Sequence, residues 1–444
     1  MTFDERKVGG RTVAKPEEDH VFTKLQKRSM TFIAPSAAPS GRDRAQSMSI
    51  PDVMYRRHFG HEDEEHNKPF SFHYQHGVTG DGAVAPVIVK PTEDNSGKAV
   101  VVTDTFTTGA VVANSLYKMG YKVICVLSAD LKDLLKMIPD DLEVQFTATI
   151  TMDVEAEHSA AIKSVIEQIH AVGLPVVAIF AGAETGVELA DELSEIMGLR
   201  TNGTAQSDAR RNKYVMGETV RAAGLRAVKQ LKATVWADIE NFLTEWNPSP
   251  YKVIVKPVDS AGSDDVTLCL SLKDVQKAFG NIIGKVNGLG LVNKAVLVQE
   301  YLEGQEYIID MVSRDGVHKT AAVWAYDRRA VNGAGFVCFG QRMCMIDDPH
   351  IRELIEYQKK VITALGIRNG PTHGEVKWFQ GEPVLVEVGA RCQGADGLWV
   401  KITTEALGYN QVQCTVDSYL YPERFAAMPE AVRYFFHKVK CLYF

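Results

Sequence analysis

The charged residues best suited to chemistry in this sequence lie within or beside short apolar segments. Lys256 falls near the end of the apolar segment 251–257, where a buried ammonium group needs a partner. Glu375 and Glu387 lie at inner positions of two further apolar segments. Neighbouring carboxylates repel each other unless a cation lies between them. The pattern therefore favours Mg²⁺, a hard ion that takes oxygen ligands and bridges phosphates.

Two more cationic residues belong with these candidates. Arg391 follows Glu387 by four residues, and this even spacing places both side chains on one face of a predicted strand. Lys213 lies near the start of a predicted helix, 209–223, and taken alone it is typical of a solvated surface lysine. We therefore expect Arg391 to point into the space beside Glu387.

The elements that must position these side chains form two patterns. Residues 98–200 alternate apolar strands with helical spacing, which predicts an open parallel sheet. Ligands usually bind at the carboxyl ends of such strands, here the loops 104–109 and 181–186. The predicted strands are 99–103, 121–127, 175–180, 251–257, 295–302, 373–378 and 383–391, and the predicted helices of the first pattern are 110–118, 160–172 and 187–197.

Length and composition limit the classes of protein. A chain of 444 residues is too long for one ordinary core and predicts two or three domains. Its net charge of -7 argues against nucleic acid as a partner. No segment approaches the roughly 20 apolar residues that cross a bilayer, and the N-terminus lacks an apolar signal region. The chain is therefore expected to have no membrane partner. Seven cysteines without metal-type pairs predict a reduced, cytoplasmic chain.

The first part of the chain has a different composition. Residues 1–50 are expected to be poorly ordered, with a small-residue and proline-containing linker at 34–41. A His-rich acidic segment follows, which could bind a metal or form an ordinary surface loop. Its spacing matches no helix or strand pair of ligands, so we favour the loop. Its histidines are His58, His61, His66, His73 and His76.

From Ala99 to Arg391 and somewhat beyond, the sequence resembles ATP-grasp carboxylate–amine ligases, especially the L-amino-acid ligase and carnosine-synthase-like branch. Six segments carry the resemblance, each weak alone but together in matching order and spacing. They are 104–109, 181–187, 212–216, 255–263, 298–307 and 385–391. The resemblance implies an ATP-grasp fold of the α/β (α+β) class with an N-terminal Rossmann-like open parallel sheet.

Domain boundaries follow from the resemblance and from the element pattern. They are an N-terminal extension at 1–95, partly disordered, a Rossmann-like domain at 96–205, an ATP-grasp domain at 206–425 and a C-terminal segment at 426–444. Within the ATP-grasp domain, the small lobe is expected at about 228–302 and the large lobe at about 303–425. The portion that follows Arg391 is shorter than in most relatives. Many relatives are dimers, so the resemblance also implies a homodimer as one option for this chain.

The resemblance also implies a role for each candidate residue. The residues assigned to ATP are Lys213, Lys256, Ser260, Gly262 and Ser263 for the phosphates, Glu300, Tyr301 and Leu302 for the adenine, and Glu306 for the ribose. Glu375 and Glu387 are implied ligands of Mg²⁺, or of Mn²⁺ in its place. Lys256 and Arg391 are the implied catalytic residues, with Arg391 facing an acyl phosphate and stabilising the oxyanion formed by amine attack.

The implied reaction phosphorylates a small-molecule carboxylate with ATP and couples it to an amine, giving ADP and phosphate. Two alternatives stay open: a carboxyphosphate-forming, carboxylase-like enzyme, and a nucleotide-binding protein with weak or no catalysis. The first would normally carry a biotin-carrier or amidotransferase segment, and none is visible. Two departures favour the second. Gly389 stands where many relatives have a metal-ligating Asn, and Asp265 stands where Gly is expected.

Two segments are candidates to face the acceptor substrate, and the first of them resembles the part of the family that does so. In the segment 323–329, Trp324 and Tyr326 share one strand face and are equally suited to the core or to a pocket wall. Arg328 and Arg329 could pair with a substrate carboxylate or lie solvated on the surface. The segment 393–397 is either a substrate loop or a plain turn.

Overall fold

The computed structural model describes residues 94–430 except 137, 259, 261–263, 288–291, 332–333 and 346–347, together with strands at 72–78, 84–88 and 441–443. The segment predicted to be disordered, 1–50, lies outside the described residues, as do His58, His61 and His66. His73 and His76 belong to strand β1 (Phe72–Val78), which pairs antiparallel with β2 (Val84–Ile88).

The predicted open parallel sheet is confirmed. Its strands are β3 (Ala99–Thr103), β4 (Lys122–Leu127), β5 (Phe146–Thr151) and β6 (Val176–Ala181), in the order β5-β4-β3-β6. All neighbouring pairs are parallel, and all five residues of β3 are buried. The associated helices are α1 (Thr108–Lys118), α2 (Lys132–Leu135), α3 (His158–Ala171) and α4 (Val187–Ile196).

A smaller antiparallel sheet follows along the chain. It contains β7 (Gln230–Ala233), β8 (Val253–Pro257), β9 (Thr267–Cys269) and β10 (Val296–Glu300), in the order β7-β10-β8-β9. Helix α5 (Lys213–Ala222) precedes this sheet, and α6 (Trp236–Trp246) and α7 (Leu272–Ile282) lie within the segment that forms it. Apolar side chains of α6 and α7 pack with those of β8 and β10 in one core cluster.

The third sheet is antiparallel throughout, in the order β15-β14-β11-β12-β13-β16. Its strands are β11 (Glu306–Arg314), β12 (Val317–Val331), β13 (Ala334–Met343), β14 (Gly370–Phe379), β15 (Glu382–Gly389) and β16 (Cys441–Tyr443). Its helices are α8 (Pro349–Ala364), α9 (Leu398–Leu407), α10 (Gln411–Leu420) and α11 (Pro422–Ala427). We keep the predicted domain boundaries as a proposal, and β16 belongs to this sheet although it falls in the predicted C-terminal segment.

The parallel sheet and the six-stranded sheet share one hydrophobic core. Val100 and Leu116 of the first unit lie in the same buried cluster as Trp324 and Trp399 of the second. This shared packing fixes the carboxyl edge of the parallel sheet relative to strands β11–β15. Loops from the N-terminal sheet can therefore contribute side chains to a site on the larger sheet.

Two predicted boundaries differ in ways that affect the site. The helix predicted to begin at 209 begins at Lys213, because the Asn212 side chain accepts hydrogen bonds from the N–H groups of Tyr214 and Val215 and caps it there. The predicted end of the strand 383–391 is wrong, because β15 ends at Gly389 and Arg391 lies beyond it. Among the helices in the described part of the chain, none has the length and apolar character to cross a membrane.

Candidate active site

Three parts of the chain meet around Lys213, the first residue of α5. Its Nζ lies 3.3 Å from Oε2 of Glu387 on β15 and donates a hydrogen bond to the backbone oxygen of Ser260. Ser260 follows β8, the strand that carries Lys256. The structure thus brings Lys213 together with a predicted metal ligand and with the predicted phosphate loop. Of that loop, Gly262 and Ser263 lie outside the described residues.

The two predicted metal ligands are direct cross-strand partners. Glu375 on β14 pairs with Glu387 on β15 in the antiparallel register. Side chains at such positions share a face of the sheet, with Cβ atoms about 4.5–5.5 Å apart, and like charges there are destabilising. The arrangement needs neutralising cations. Lys213 supplies one for Glu387, and Arg328 supplies one for Glu375 at 3.3 Å.

Lys256 is almost completely buried, with 6% of its surface exposed. Burial lowers the pKa of its ammonium group to about 8. The negative charge of Glu387 opposes this change, and the positive charge of Lys213 reinforces it. A buried lysine near two carboxylates and a second lysine is typical of a site that receives an anionic group.

Glu306 and Arg328 form a buried ion pair beside the carboxylate pair. Arg328 Nε lies 2.8 Å from Glu306 Oε1, and Lys377 Nζ lies 3.7 Å from Glu306 Oε2. Burial and the charge of Glu375 raise the pKa of Glu306 to about 7. Arg328 pairs with Glu306 and Glu375, whereas Arg329 pairs at the surface with Asp327. The pairing of either arginine with a substrate carboxylate stays a prediction.

His373 and Asp310 lie behind Glu375 on the same sheet. His373 Nδ1 is 2.9 Å from Asp310 Oδ1, and its Nε2 is 3.5 Å from Glu375 Oε1. Burial disfavours the charged imidazole, but the hydrogen bonds with Asp310 and Glu375 outweigh it and raise the pKa of His373 to about 9. For Glu375 burial also opposes ionisation, and the contacts with His373 and Arg328 nevertheless lower its pKa.

Of the residues predicted to line the adenine, Glu300 is the last residue of β10, and Tyr301 and Leu302 follow it. The Glu300 carboxylate is engaged by Arg226 Nη2 at 2.8 and 2.9 Å and by the Lys229 N–H at 3.1 Å. Its side chain therefore anchors the end of β10. The Leu302 carbonyl oxygen already accepts a hydrogen bond from Lys377 at 3.1 Å.

Glu184 is a site residue that the sequence analysis missed. It lies in the loop between β6 and α4, and its Oε2 is 3.0 Å from Arg391 Nε while its Oε1 is 2.8 Å from Arg211 Nη1. Burial opposes ionisation of Glu184, but the charges of Arg391 and Arg211 lower its pKa. The available signal was its position at the carboxyl edge of a parallel strand.

Asp104 holds the Glu184 loop in place. Its Oδ2 accepts hydrogen bonds from Ser128 Oγ at 2.7 Å and from Thr185 Oγ1, and its Oδ1 accepts one from the Ser128 N–H at 2.8 Å. Asp104 itself has a φ of 50°, an uncommon backbone conformation for a residue with a side chain. The loops after β3, β4 and β6 are thereby tied together.

Gly389 has a steric reason in this chain. A Cβ atom at this position would lie 2.7 Å from Glu184 Oε2 and 3.1 Å from Arg391 Cζ. The Glu184–Arg391 pair therefore occupies the space that a side chain at position 389 would need. Asp265 has a φ of 52°, in the left-handed region that glycine adopts most readily.

A divalent ion fits this set of oxygen atoms. Mg²⁺ is usually held by one or two carboxylates, with phosphate oxygens and water completing its octahedral shell. Glu375 and Glu387 provide two opposed carboxylates. In the ranges that the structure describes, no group of three or more His, Cys, Asp or Glu side chains could hold an ion alone. The donor set thus suits an ion that arrives with a phosphorylated ligand.

Comparisons with known proteins agree with this geometry. An ATP-grasp domain model matches residues 249–398. Dapdiamide A synthase of Enterobacter agglomerans is 30% identical over 332 residues, covering 74% of this chain and 75% of that protein. Alanine–anticapsin ligase of Bacillus subtilis strain 168 is 26% identical over 220 residues, 45% of each chain. The crystal structure of L-amino acid ligase from Bacillus licheniformis has a TM-score of 0.60 at 19% identity, covering 77% of this chain and 78% of that one.

The chain belongs to the ATP-grasp enzymes, in their amino-acid-ligase branch. It is an ATP-dependent ligase that joins a carboxylate to an amine.

Proposed function

We propose that this ligase uses ATP and Mg²⁺ to activate the carboxylate of an amino acid or a similar small molecule, and that it couples the product to the amine of a second amino acid. The observation that carries the proposal is the convergence of Lys213 and the opposed pair Glu375 and Glu387 within one site, beside the buried Lys256. The relatives named for dapdiamide A synthesis and for alanine–anticapsin ligation support the substrate class.

In this proposal Glu375 and Glu387 hold the divalent ion, and Mn²⁺ can replace Mg²⁺. When bound, the ion neutralises charge on the phosphoryl oxygens as the γ-phosphoryl group is transferred. Lys256 and Lys213 bind the phosphates from the side of β8 and α5. Because Lys256 is buried, its charge acts through a medium of low dielectric constant and stabilises a phosphate more strongly than an exposed lysine would.

Arg391 is the residue that we assign to the acyl group. A guanidinium group provides fixed donors for the oxyanion that develops when an amine attacks an acyl phosphate. Glu184 orients this guanidinium through its Nε atom at 3.0 Å. The N-terminal sheet thereby contributes directly to the catalytic geometry.

The structure weakens the case for a protein without catalysis. Gly389 favoured that alternative in the sequence, and the close approach of Glu184 gives it a different cause. The contact between Lys213 and Glu387, beside Glu375, also supports a role in phosphoryl transfer. We therefore propose the ligase reaction as the function of this protein. The predicted homodimer stays a prediction.

ADP and phosphate release measured with pairs of L-amino acids tests the proposal. We expect at least one pair to stimulate ATP turnover and to yield a dipeptide or related amide, and we expect Glu387→Gln to abolish this stimulation. Glu356→Gln, an exposed substitution on α8, serves as the matched control. If no carboxylate–amine pair stimulates turnover, or if Glu387→Gln turns over normally, the proposal fails.

A further inference from the structure

The two carboxylate oxygens of Glu375 have different surroundings. Oε1 accepts hydrogen bonds from Tyr326 Oη at 3.2 Å and Arg328 Nη2 at 3.3 Å, and it lies 3.5 Å from His373 Nε2. Among the described residues, none donates a hydrogen bond to Oε2. Two hydrogen bonds and the contact of His373 thus converge on Oε1, and Oε2 is left for a ligand.

His373 is fixed by groups deeper in the sheet. Its Nδ1 is bound to Asp310 Oδ1 at 2.9 Å, and Asp310 Oδ2 accepts a hydrogen bond from Trp324 Nε1 at 3.2 Å. Asp310 and Trp324 are both completely buried. Asp310 and His373 are also direct partners in the register of β11 and β14. The imidazole therefore has little freedom to turn away from Glu375.

The other two donors, Tyr326 and Arg328, contact each other. The Arg328 guanidinium lies over the Tyr326 ring, 4.2 Å from its centroid, and Arg328 Nε lies 2.8 Å from Glu306 Oε1. Tyr326 and Arg328 are two residues apart on β12, so they share one face of the sheet. This pair approaches Glu375 from β12, whereas His373 approaches it along β14.

We propose that Tyr326, Arg328 and His373 are positioning residues that hold Oε1 of Glu375, so that Glu375 binds the metal ion through Oε2 alone. The inference rests on the proposed function, because it takes Glu375 as a metal ligand. Mg²⁺ demands nearly ideal octahedral geometry, which a carboxylate fixed in one orientation can satisfy without being reordered. Hydrogen-bond partners of metal-ligating groups commonly have this role, and their loss weakens metal binding.

Binding of Mn²⁺ in the presence of ADP, followed by the electron paramagnetic resonance signal of free Mn²⁺, tests the inference on the full chain. Tyr326→Phe removes one donor and keeps the ring, and Trp324→Phe removes the support of Asp310 while keeping an aromatic side chain. We expect each to weaken Mn²⁺ binding about 10-fold. Tyr307→Phe is the matched control, because Tyr307 lies on the other face of β11, and it should bind Mn²⁺ as the parent does.

Glu375→Gln distinguishes a failure of the positioning role from a failure of the metal assignment. If it weakens Mn²⁺ binding while Tyr326→Phe and Trp324→Phe both bind as the parent does, Glu375 is a ligand and the positioning role is refuted. If Glu375→Gln itself leaves Mn²⁺ binding unchanged, the metal assignment of the proposed function falls, and the positioning role falls with it. In support of the inference, adding Tyr326→Phe to Glu375→Gln should cause no further loss, because the donor then has no ligand to orient.

Discussion

The six-stranded sheet and the N-terminal parallel sheet contribute to the proposed active site in different ways. From the larger sheet come side chains in the middle of strands, Glu375, Glu387 and Arg328, fixed by cross-strand register. From the parallel sheet comes Glu184, a loop residue at the end of a strand, fixed by hydrogen bonds between loops. A charged residue inside a strand interrupts the apolar pattern of the sequence, whereas a charged residue in a polar loop does not. This difference explains which site residues the sequence revealed.

The largest effect is expected from the strand contribution. Glu387→Gln keeps the size of the side chain but removes a charge opposite Glu375 and beside Lys213. We expect kcat to fall about 100- to 1000-fold, the range seen when one group that stabilises transition-state charge is lost. Steady-state ADP release checks this. A loss smaller than that caused by Glu184→Gln would reverse the ranking of the two regions.

A smaller effect is expected from the loop contribution. Glu184→Gln leaves Arg391 in place but removes the charge that orients it, so we expect kcat/KM to fall about tenfold, roughly 1.4 kcal/mol. Gly389→Ala should cause a loss of similar size, because its Cβ would lie 2.7 Å from Glu184 Oε2. Kinetics of the two single variants and the double variant provide the measurement. Fully additive losses would show that the two residues act independently.

The pH dependence of nucleotide binding probes the small sheet. The pKa of Lys256 is lowered to about 8, so the free enzyme loses this charge as the pH rises through that value. ADP affinity should therefore decrease above pH 8, by up to tenfold per pH unit, because binding then requires uptake of a proton. Calorimetric titrations with ADP at pH values between about 6.5 and 9.5, on both sides of that pKa, measure this affinity. Lys256→Arg should flatten this decrease, and a wild-type affinity independent of pH would contradict the assignment.

The same pKa has a consequence for stability. Between a folded pKa of about 8 and an unfolded value near 10.5, the unfolded chain holds more protons at Lys256 than the folded chain does. This residue alone therefore makes the free energy of unfolding rise as the pH increases through that window. Urea unfolding of the wild type and of Lys256→Met, compared at pH 8 and pH 10, isolates the contribution. An equal pH dependence in both proteins would refute it.

The smallest effect concerns the cap that positions Lys213. Asn212→Ala removes two hydrogen bonds to the first turn of α5, and such caps contribute about 1 kcal/mol to stability. We expect a loss of that size in the free energy of unfolding, measured with urea, together with a modest rise in KM for ATP. Asn212→Asp retains the cap and should behave like the parent. If Asn212→Asp is as unstable as Asn212→Ala, capping is not the cause.

The parallel sheet was largely predictable because β3, β4 and β6 are short and apolar. The strand 99–103 has the predicted bounds, and the parallel sheet and the ATP-grasp assignment are confirmed. Strand β5 was absent from the predicted set, because this edge strand has half-exposed, alternating side chains rather than a continuous apolar run. The end of β15 was also placed too far along, since the apolar pattern continues past Gly389 although the pairing stops there.

The site was predictable only in part, for related reasons. Glu375 and Glu387 were identifiable as neighbours because both interrupt apolar strands. Glu184 and the partners of Glu375 Oε1 depend on register and on contacts between distant segments, which spacing along one chain does not contain. His373 lies 63 residues from Asp310 and touches it only because β11 and β14 are paired. Such contacts follow from tertiary structure.

Transfer of oxygen from substrate to phosphate tests the central claim most directly. The ligase is given a carboxylate substrate with both carboxyl oxygens labelled with ¹⁸O, together with ATP, Mg²⁺ and an amine that supports turnover, and the released phosphate is analysed by mass spectrometry. If the carboxylate attacks the γ-phosphorus and the amine then displaces phosphate, each phosphate carries one ¹⁸O atom and the amide retains the other. Phosphate without ¹⁸O, with the oxygen lost from the carboxylate found in AMP or in water instead, would contradict activation of the carboxylate by phosphorylation.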